Sequence, residues 1–106
     1  MDSIFNSLER ILEERKSSSA DQSYVSSLYN GGSQAILNKI SEESEEVIKA
    51  ANEESREEII HEVADLWFHL MVLLRHKDIH IEEIEYELAR RFGVSGHEEK
   101  ASRKSK

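Results

Sequence analysis

Between Ile59 and Leu74 apolar residues fall at nearly every angle around a helix axis, and the single exception is narrow. At about 100° per residue, Ile59, Val63, Leu66, Trp67, Leu70, Met71, Leu73 and their apolar neighbours span the circumference. Glu58, Glu62, Asp65, His69 and His76 share the remaining strip, roughly 60° wide by the same geometry. Such a helix is predicted to be buried. Carboxylates on its one polar strip, with no fixed base beside them, are then unfavourable unless a cation compensates them.

A second acidic set precedes this helix. Glu42, Glu43, Glu45 and Glu46 lie in KISEESEEVIKAA, where Ile36, Leu37, Ile40, Val47, Ile48 and Ala51 form an apolar stripe. Glu43 sits at the edge of that stripe, with Glu46 and Lys39 just beyond it, while Glu42 and Glu45 point further out. Between the two helices, Asn52-Glu53-Glu54 reads as a short link, and Ser55 with Glu58 three residues on matches a capping box. A link this short predicts an antiparallel hairpin. With its turn near Glu54, Glu46 stands level with Glu62 and Glu43 with Asp65. Four acids at one height predict a site for a hard divalent cation held by Glu43, Glu46, Glu62 and Asp65. All-oxygen ligation suits Mg²⁺, with Mn²⁺ as a substitute, better than zinc. Glu42, Glu45, Glu53, Glu54 and Glu57 taken alone read as solvated charges.

The rest of the chain serves packing. Residues 3–16 predict an amphipathic helix with Ile4, Phe5, Leu8, Ile11 and Leu12 on one stripe. Ser17 to Gln22 reads as a polar linker. Ser23 is an N-cap for a short helix carrying Tyr24, Val25, Leu28 and Tyr29, closed by Gly31-Gly32. That glycine pair lacks the spacing, lysine and preceding strand of a phosphate loop. Arg75 to His80 predicts a connection, and Ile81 to Phe92 a last helix stopped at Gly93. His69 and His76 read as hydrogen-bonded core residues rather than ligands. Glu58-Ile-Ile-His61 has the spacing of di-iron carboxylate bundles, which need that motif twice, and it occurs here once.

With no proline, no cysteine and no β-branched alternation in 106 residues, the prediction is a single all-α domain over 1–93 without disulfides or thiolate chemistry. The apolar circumference of the second hairpin helix exceeds what so small a chain readily covers, so a homodimer or higher homo-oligomer is expected. No apolar run is long enough to cross a membrane and the N-terminus has no signal pattern, which predicts a cytoplasmic protein. The net charge of −8 argues against nucleic-acid binding. Its distribution is uneven: residues 90–106 hold six basic and two acidic side chains, net +4, leaving −12 on the preceding 89. The tail at 94–106 is therefore predicted to be flexible unless it docks, and Arg90, Arg91, Lys100 and Arg103 are candidates for meeting a phosphorylated ligand.

The pattern Glu42-Glu43-Ser44-Glu45-Glu46 followed by Glu62-Val63-Ala64-Asp65 resembles the signature of the all-α MazG-like nucleoside triphosphate pyrophosphohydrolases. The flanks SYVSSLYNGG, REEIIHEVADLWFHLMVLL and ELARRFGVSGHEEKASRK narrow the resemblance to the phosphoribosyl-ATP pyrophosphohydrolase family, across residues 1 to about 104. That resemblance implies a helical bundle built on the central hairpin and completed by homo-oligomerisation. It further implies Mg²⁺-dependent hydrolysis of 1-(5-phosphoribosyl)-ATP in histidine biosynthesis. By the same resemblance Glu43, Glu46, Glu62 and Asp65 match metal ligands, and Glu42 or Glu46 is the acid that would handle water. Lys39, Arg90, Arg91, Lys100 and Arg103 match positions holding substrate phosphates. Association with phosphoribosyl-AMP cyclohydrolase, to which such domains are often fused, is a further implication. Two other readings stand beside it: a house-cleaning pyrophosphatase for dUTP or damaged triphosphates, and a non-catalytic helical interaction module.

Overall fold

The computed structural model describes residues 3–17, 23–53 and 55–92, and every regular element among them is a helix. These are α1 (Ile4–Arg15), α2 (Tyr24–Asn52), α3 (Arg56–His76) and α4 (Ile81–Phe92). Serines start three of them, because a serine oxygen can satisfy an amide that the first helical turn leaves without a partner. Ser3 accepts from the Asn6 amide at 3.3 Å, Ser23 from Ser26 at 2.9 Å and Ser55 from Glu58 at 3.4 Å.

α2 and α3 form the predicted antiparallel hairpin, and α1 lies across it. Where they meet, Leu12, Val25, Leu28, Ile36, Met71 and Val72 make the buried core, flanked by Phe5, Leu8, Tyr29, Ile40 and Phe68. Tyr29 seals one edge by donating its hydroxyl to the Leu12 carbonyl at 3.1 Å. Burial is the first cause, and Glu13 the second, that pushes this phenol up to about 12, against an opposing pull from Arg75.

The short helix expected to close at Gly31-Gly32 does not end there. One residue, Gly32, takes φ 77° and ψ −168°, and helix resumes at once, so α2 is two limbs meeting at a kink. That conformation is open in practice to glycine alone. Gly31 has a different constraint, since a Cβ added to it would lie 2.8 Å from the Ala35 Cβ.

Two expectations about burial need correction. α3 is not enclosed: Ile60, Trp67 and Leu70 are 57%, 50% and 38% exposed. Nor are all the acids enclosed, for Glu46 is on the surface and the Asp65 side chain is 42% exposed. One crossing helix covers one face of a hairpin, and α1 takes the face carrying Met71 and Val72. The stripe on α2 is also shifted, for Leu37 and Ile48 are exposed while Ala50 is buried. Arg75, expected in a connection, lies inside α3 and is buried. Residues 93–106, with the boundary predicted at 93 and the basic tail, lie outside the described residues.

Candidate metal centre

α3 brings its acids together through helical spacing, since residues three and four apart share a face. Glu62 and Asp65 are so related, and His61 precedes Asp65 by one turn, its Nε2 3.4 Å from Asp65 Oδ2. Ligand-capable atoms of His61, Glu62 and Asp65 all lie within 4.8 Å of one another. α2 supplies the facing wall. Glu46 and Glu62 line one polar cavity of about 130 Å³ together with Lys49, Glu53 and Glu58. The Glu43 side chain is 13% exposed, and Lys39 Nζ stands 3.8 Å from its carboxylate and 3.1 Å from that of Glu42.

The electrostatics join the two walls. The Glu62 carboxyl is pushed above the usual carboxylate range, by desolvation first and then, against the opposing effect of His61, by the charges of Glu43, Glu46 and Asp65. Glu43 and Glu46 of α2 are thus among the charges that bear on Glu62 of α3, while the tightest cluster of ligand-capable atoms is His61, Glu62 and Asp65 on α3 itself. His61 is the nearby group that lowers Glu62. Lys39 is held above its ordinary value chiefly by its hydrogen bond to Glu42. The oxygens of Glu62 and Asp65, with the His61 imidazole beside them and Glu46 across the shared cavity, make a donor set that fits a hard divalent cation.

Behind the ligand face, His69 is buried and its ring is fixed at both nitrogens. Nδ1 lies 2.8 Å from the Asp65 carbonyl oxygen and Nε2 lies 2.7 Å from the Tyr24 hydroxyl. His76 bonds Ser33 at 3.1 Å and stacks on Tyr29. Both histidines are thus structural, in keeping with their sequence reading. Glu42 is mostly exposed. Arg90 and Arg91 each reach Glu87 at 2.7 Å on their own helix. Those two hydrogen bonds, Arg90 first, hold the Glu87 carboxyl down at about 2. Lys100 and Arg103 lie outside the described residues.

The chain matches the sequence profile of "Phosphoribosyl-ATP pyrophosphohydrolase" over residues 5–92. It belongs to that family. The "Phosphoribosyl-ATP pyrophosphatase" of Vesicomyosocius okutanii is similar to it at 62% identity over 103 residues, 97% of this chain and 98% of the relative. The proteins of the same name from Ruthia magnifica and Geobacter metallireducens are 57% and 52% identical over 97% and 96% of this chain. The MazG-like, all-α character expected from the acidic motif agrees with this membership and with the helices described above.

His61 and Tyr24 stand beside the acids, yet on sequence His61 is set aside with the di-iron motif and Tyr24 has only a packing role. His61 has a signal of its own, an i,i+4 spacing to Asp65. Tyr24 lies in the flank SYVSSLYNGG that carries the resemblance, but its approach to α3 across the kink is a tertiary feature that no spacing announces.

Proposed function

We propose that this chain hydrolyses 1-(5-phosphoribosyl)-ATP to 1-(5-phosphoribosyl)-AMP and pyrophosphate, with Mg²⁺, as the second step of histidine biosynthesis. The observation that carries the reading is the acidic wall shared by two helices, where Glu46 of α2 and Glu62 of α3 line one polar cavity and the ligand-capable atoms of His61, Glu62 and Asp65 lie within 4.8 Å of one another. Such a cluster suits a cation shared with a triphosphate. The names of the full-length relatives supply the substrate. Among the described residues no helix is long and apolar enough to cross a membrane, and a water-soluble nucleotide would be met in the cytoplasm.

Glu43, Glu46, Glu62 and Asp65 would hold the ion. When bound, it supplies positive charge to the triphosphate and to the leaving pyrophosphate. The protein's own groups do the rest. Lys39, pointing its ammonium along the rim at Glu42 and Glu43, is placed to exchange a carboxylate for a phosphate oxygen as a point charge. Glu42 or Glu46, both exposed on α2, orients the attacking water and takes its proton. Arg90, Arg91, Lys100 and Arg103 are proposed to hold the substrate's further phosphate, and Arg90 and Arg91 would leave Glu87 to do so.

The test is release of pyrophosphate from a panel of phosphoribosyl-ATP, ATP and dUTP in Mg²⁺. Phosphoribosyl-ATP should be the preferred substrate, and preference for dUTP would replace this reading with a house-cleaning one. Glu43→Ala and Asp65→Ala should each lower turnover at least about a hundredfold while far-ultraviolet circular dichroism stays helical. Near-normal hydrolysis by either variant refutes the site.

A further inference from the structure

Tyr24 is absent from the acidic motif, yet it stands at its edge. It opens α2 on the far side of the Gly32 kink, and its ring meets His69 of α3 edge-on, centroids 5.7 Å apart at 82°. Its hydroxyl lies 2.7 Å from His69 Nε2. The direction of that bond is decided on the other side of the imidazole. His69 Nδ1 lies 2.8 Å from the Asp65 carbonyl oxygen, and a carbonyl only accepts, so Nδ1 carries the hydrogen. In the neutral ring Nε2 then accepts, and Tyr24 donates. His69 is 5% exposed, so its packing leaves it little room to turn over.

The phenol oxygen has therefore committed its one hydrogen and presents only lone pairs to an incoming group. Access is open, for half of Tyr24 is exposed. The hydroxyl bonds the imidazole that in turn bonds the Asp65 carbonyl, which places it beside the α3 acids, and desolvation first, with Glu43, Glu42 and Asp65 against the pull of Lys39, raises the phenol. An acceptor cannot bond the ionised oxygens of a triphosphate, which also accept. The next group along a nucleotide from its first phosphate is the ribose, and ribose hydroxyls donate.

We propose that Tyr24 is a substrate-contacting residue whose phenol oxygen accepts a hydrogen bond from the 2′ or 3′ hydroxyl of the ribose adjoining the triphosphate. The proposal rests on the reading given above for the carboxylate site. A tyrosine that merely braces α2 against α3 would treat all substrates alike, which separates the two roles.

The experiment compares the full chain with its Tyr24→Phe variant on phosphoribosyl-ATP and on the analogues lacking the 2′ or the 3′ hydroxyl of that ribose. On the parent substrate KM should rise about tenfold, the worth of one hydrogen bond, with kcat within about twofold. On one analogue the unsubstituted chain should already show the raised KM, and the substitution should add nothing. A second variant carries 3,5-difluorotyrosine at position 24 and is assayed at a pH below the ionisation of the fluorinated phenol, where it keeps the donor to His69 and weakens the oxygen as an acceptor. It should raise KM on the parent substrate and not on that analogue, so the test stands even if Tyr24→Phe fails to fold. An equal penalty on all three substrates, or no change on the parent, overturns the sugar contact alone. Absence of turnover of phosphoribosyl-ATP by the unsubstituted chain overturns the underlying reading as well.

Discussion

The guanidinium of Arg75 is 6% exposed and joins three parts of the chain. It donates to Glu13 of α1 at 2.8 Å and to the carbonyl of Ile79 beyond α3 at 2.8 Å, and its Nε faces Glu9 at 3.8 Å. Glu9 in turn accepts from the Ile81 amide at 2.7 Å, which ties the start of α4 to α1. Removing a buried charge partner leaves the remaining groups desolvated and unpaired, so Arg75→Met should destabilise by about 3 kcal/mol. Glu13→Gln, at a half-exposed carboxylate, should fall below about 1 kcal/mol. Urea unfolding of the two variants measures the difference, and equal losses would show that the Glu13 pair carries the whole of what Arg75 contributes. Nothing in the sequence marks this arginine, because its carboxylate partners lie far away in the chain and its position at the end of an apolar run resembles a helix stop. The four acids are legible for the opposite reason. Their spacing within each helix and their distance from one short turn are local quantities, and local quantities survive folding. His61 stands between the two cases, visible by spacing but set aside with the di-iron motif.

Among the elements, α2 holds the sharpest local demand on the backbone. At Gly32 an added Cβ would meet nothing within 4 Å, so the only obstacle to a side chain there is the backbone conformation itself. Gly32→Ala should therefore destabilise by about 1–3 kcal/mol through strain. D-alanine at the same position favours that conformation and should stabilise by about 0.4–1 kcal/mol by restricting the unfolded chain. Thermal melts of the two semisynthetic chains test this. Destabilisation by both would mean that space, not conformation, limits the site. The kink has a functional consequence because the limb before it carries Tyr24 and the limb after it carries Lys39 and the acids. Sequence patterns announce a stop at Gly31-Gly32, since glycine pairs usually follow helix ends. They do not distinguish a stop from a turn after which helix resumes at once, because that depends on Val25 and Leu28 finding the core shared with Ile36 and Met71. The boundaries of α1, α3 and α4 lie close to their predictions, since serine caps and apolar periodicity set them within the element.

At the scale of the molecule, α3 has two opposed surfaces: an acidic edge toward α2, and an apolar one that α1 and α4 border but leave open. On the apolar side Phe5, Trp67, Leu70, Leu74, Ile84 and Leu88 line an open groove of about 340 Å³, and Ile60 continues it as exposed surface. Contiguous apolar surface of this kind is unusual on a monomer in water, and covering it contributes roughly 25 cal/mol per Å². We propose that a second copy of the chain covers it, as the apolar circumference of Ile59 to Leu74 leads one to expect. Trp67 is half exposed and only two residues from Asp65, so the same helical turn would bear the interface and a metal ligand. Sedimentation equilibrium through the micromolar range should then give at least twice the mass of one chain, and Trp67→Glu should shift it toward one. Because α3 is supported by one crossing helix, losing the second copy should also loosen the carboxylates, and turnover should fall with the dimer as the Trp67→Glu chain is diluted. A chain that sediments as a monomer throughout, or a monomeric Trp67→Glu variant with full turnover, would separate the apolar face from the site and leave α1 as the only support the acids require.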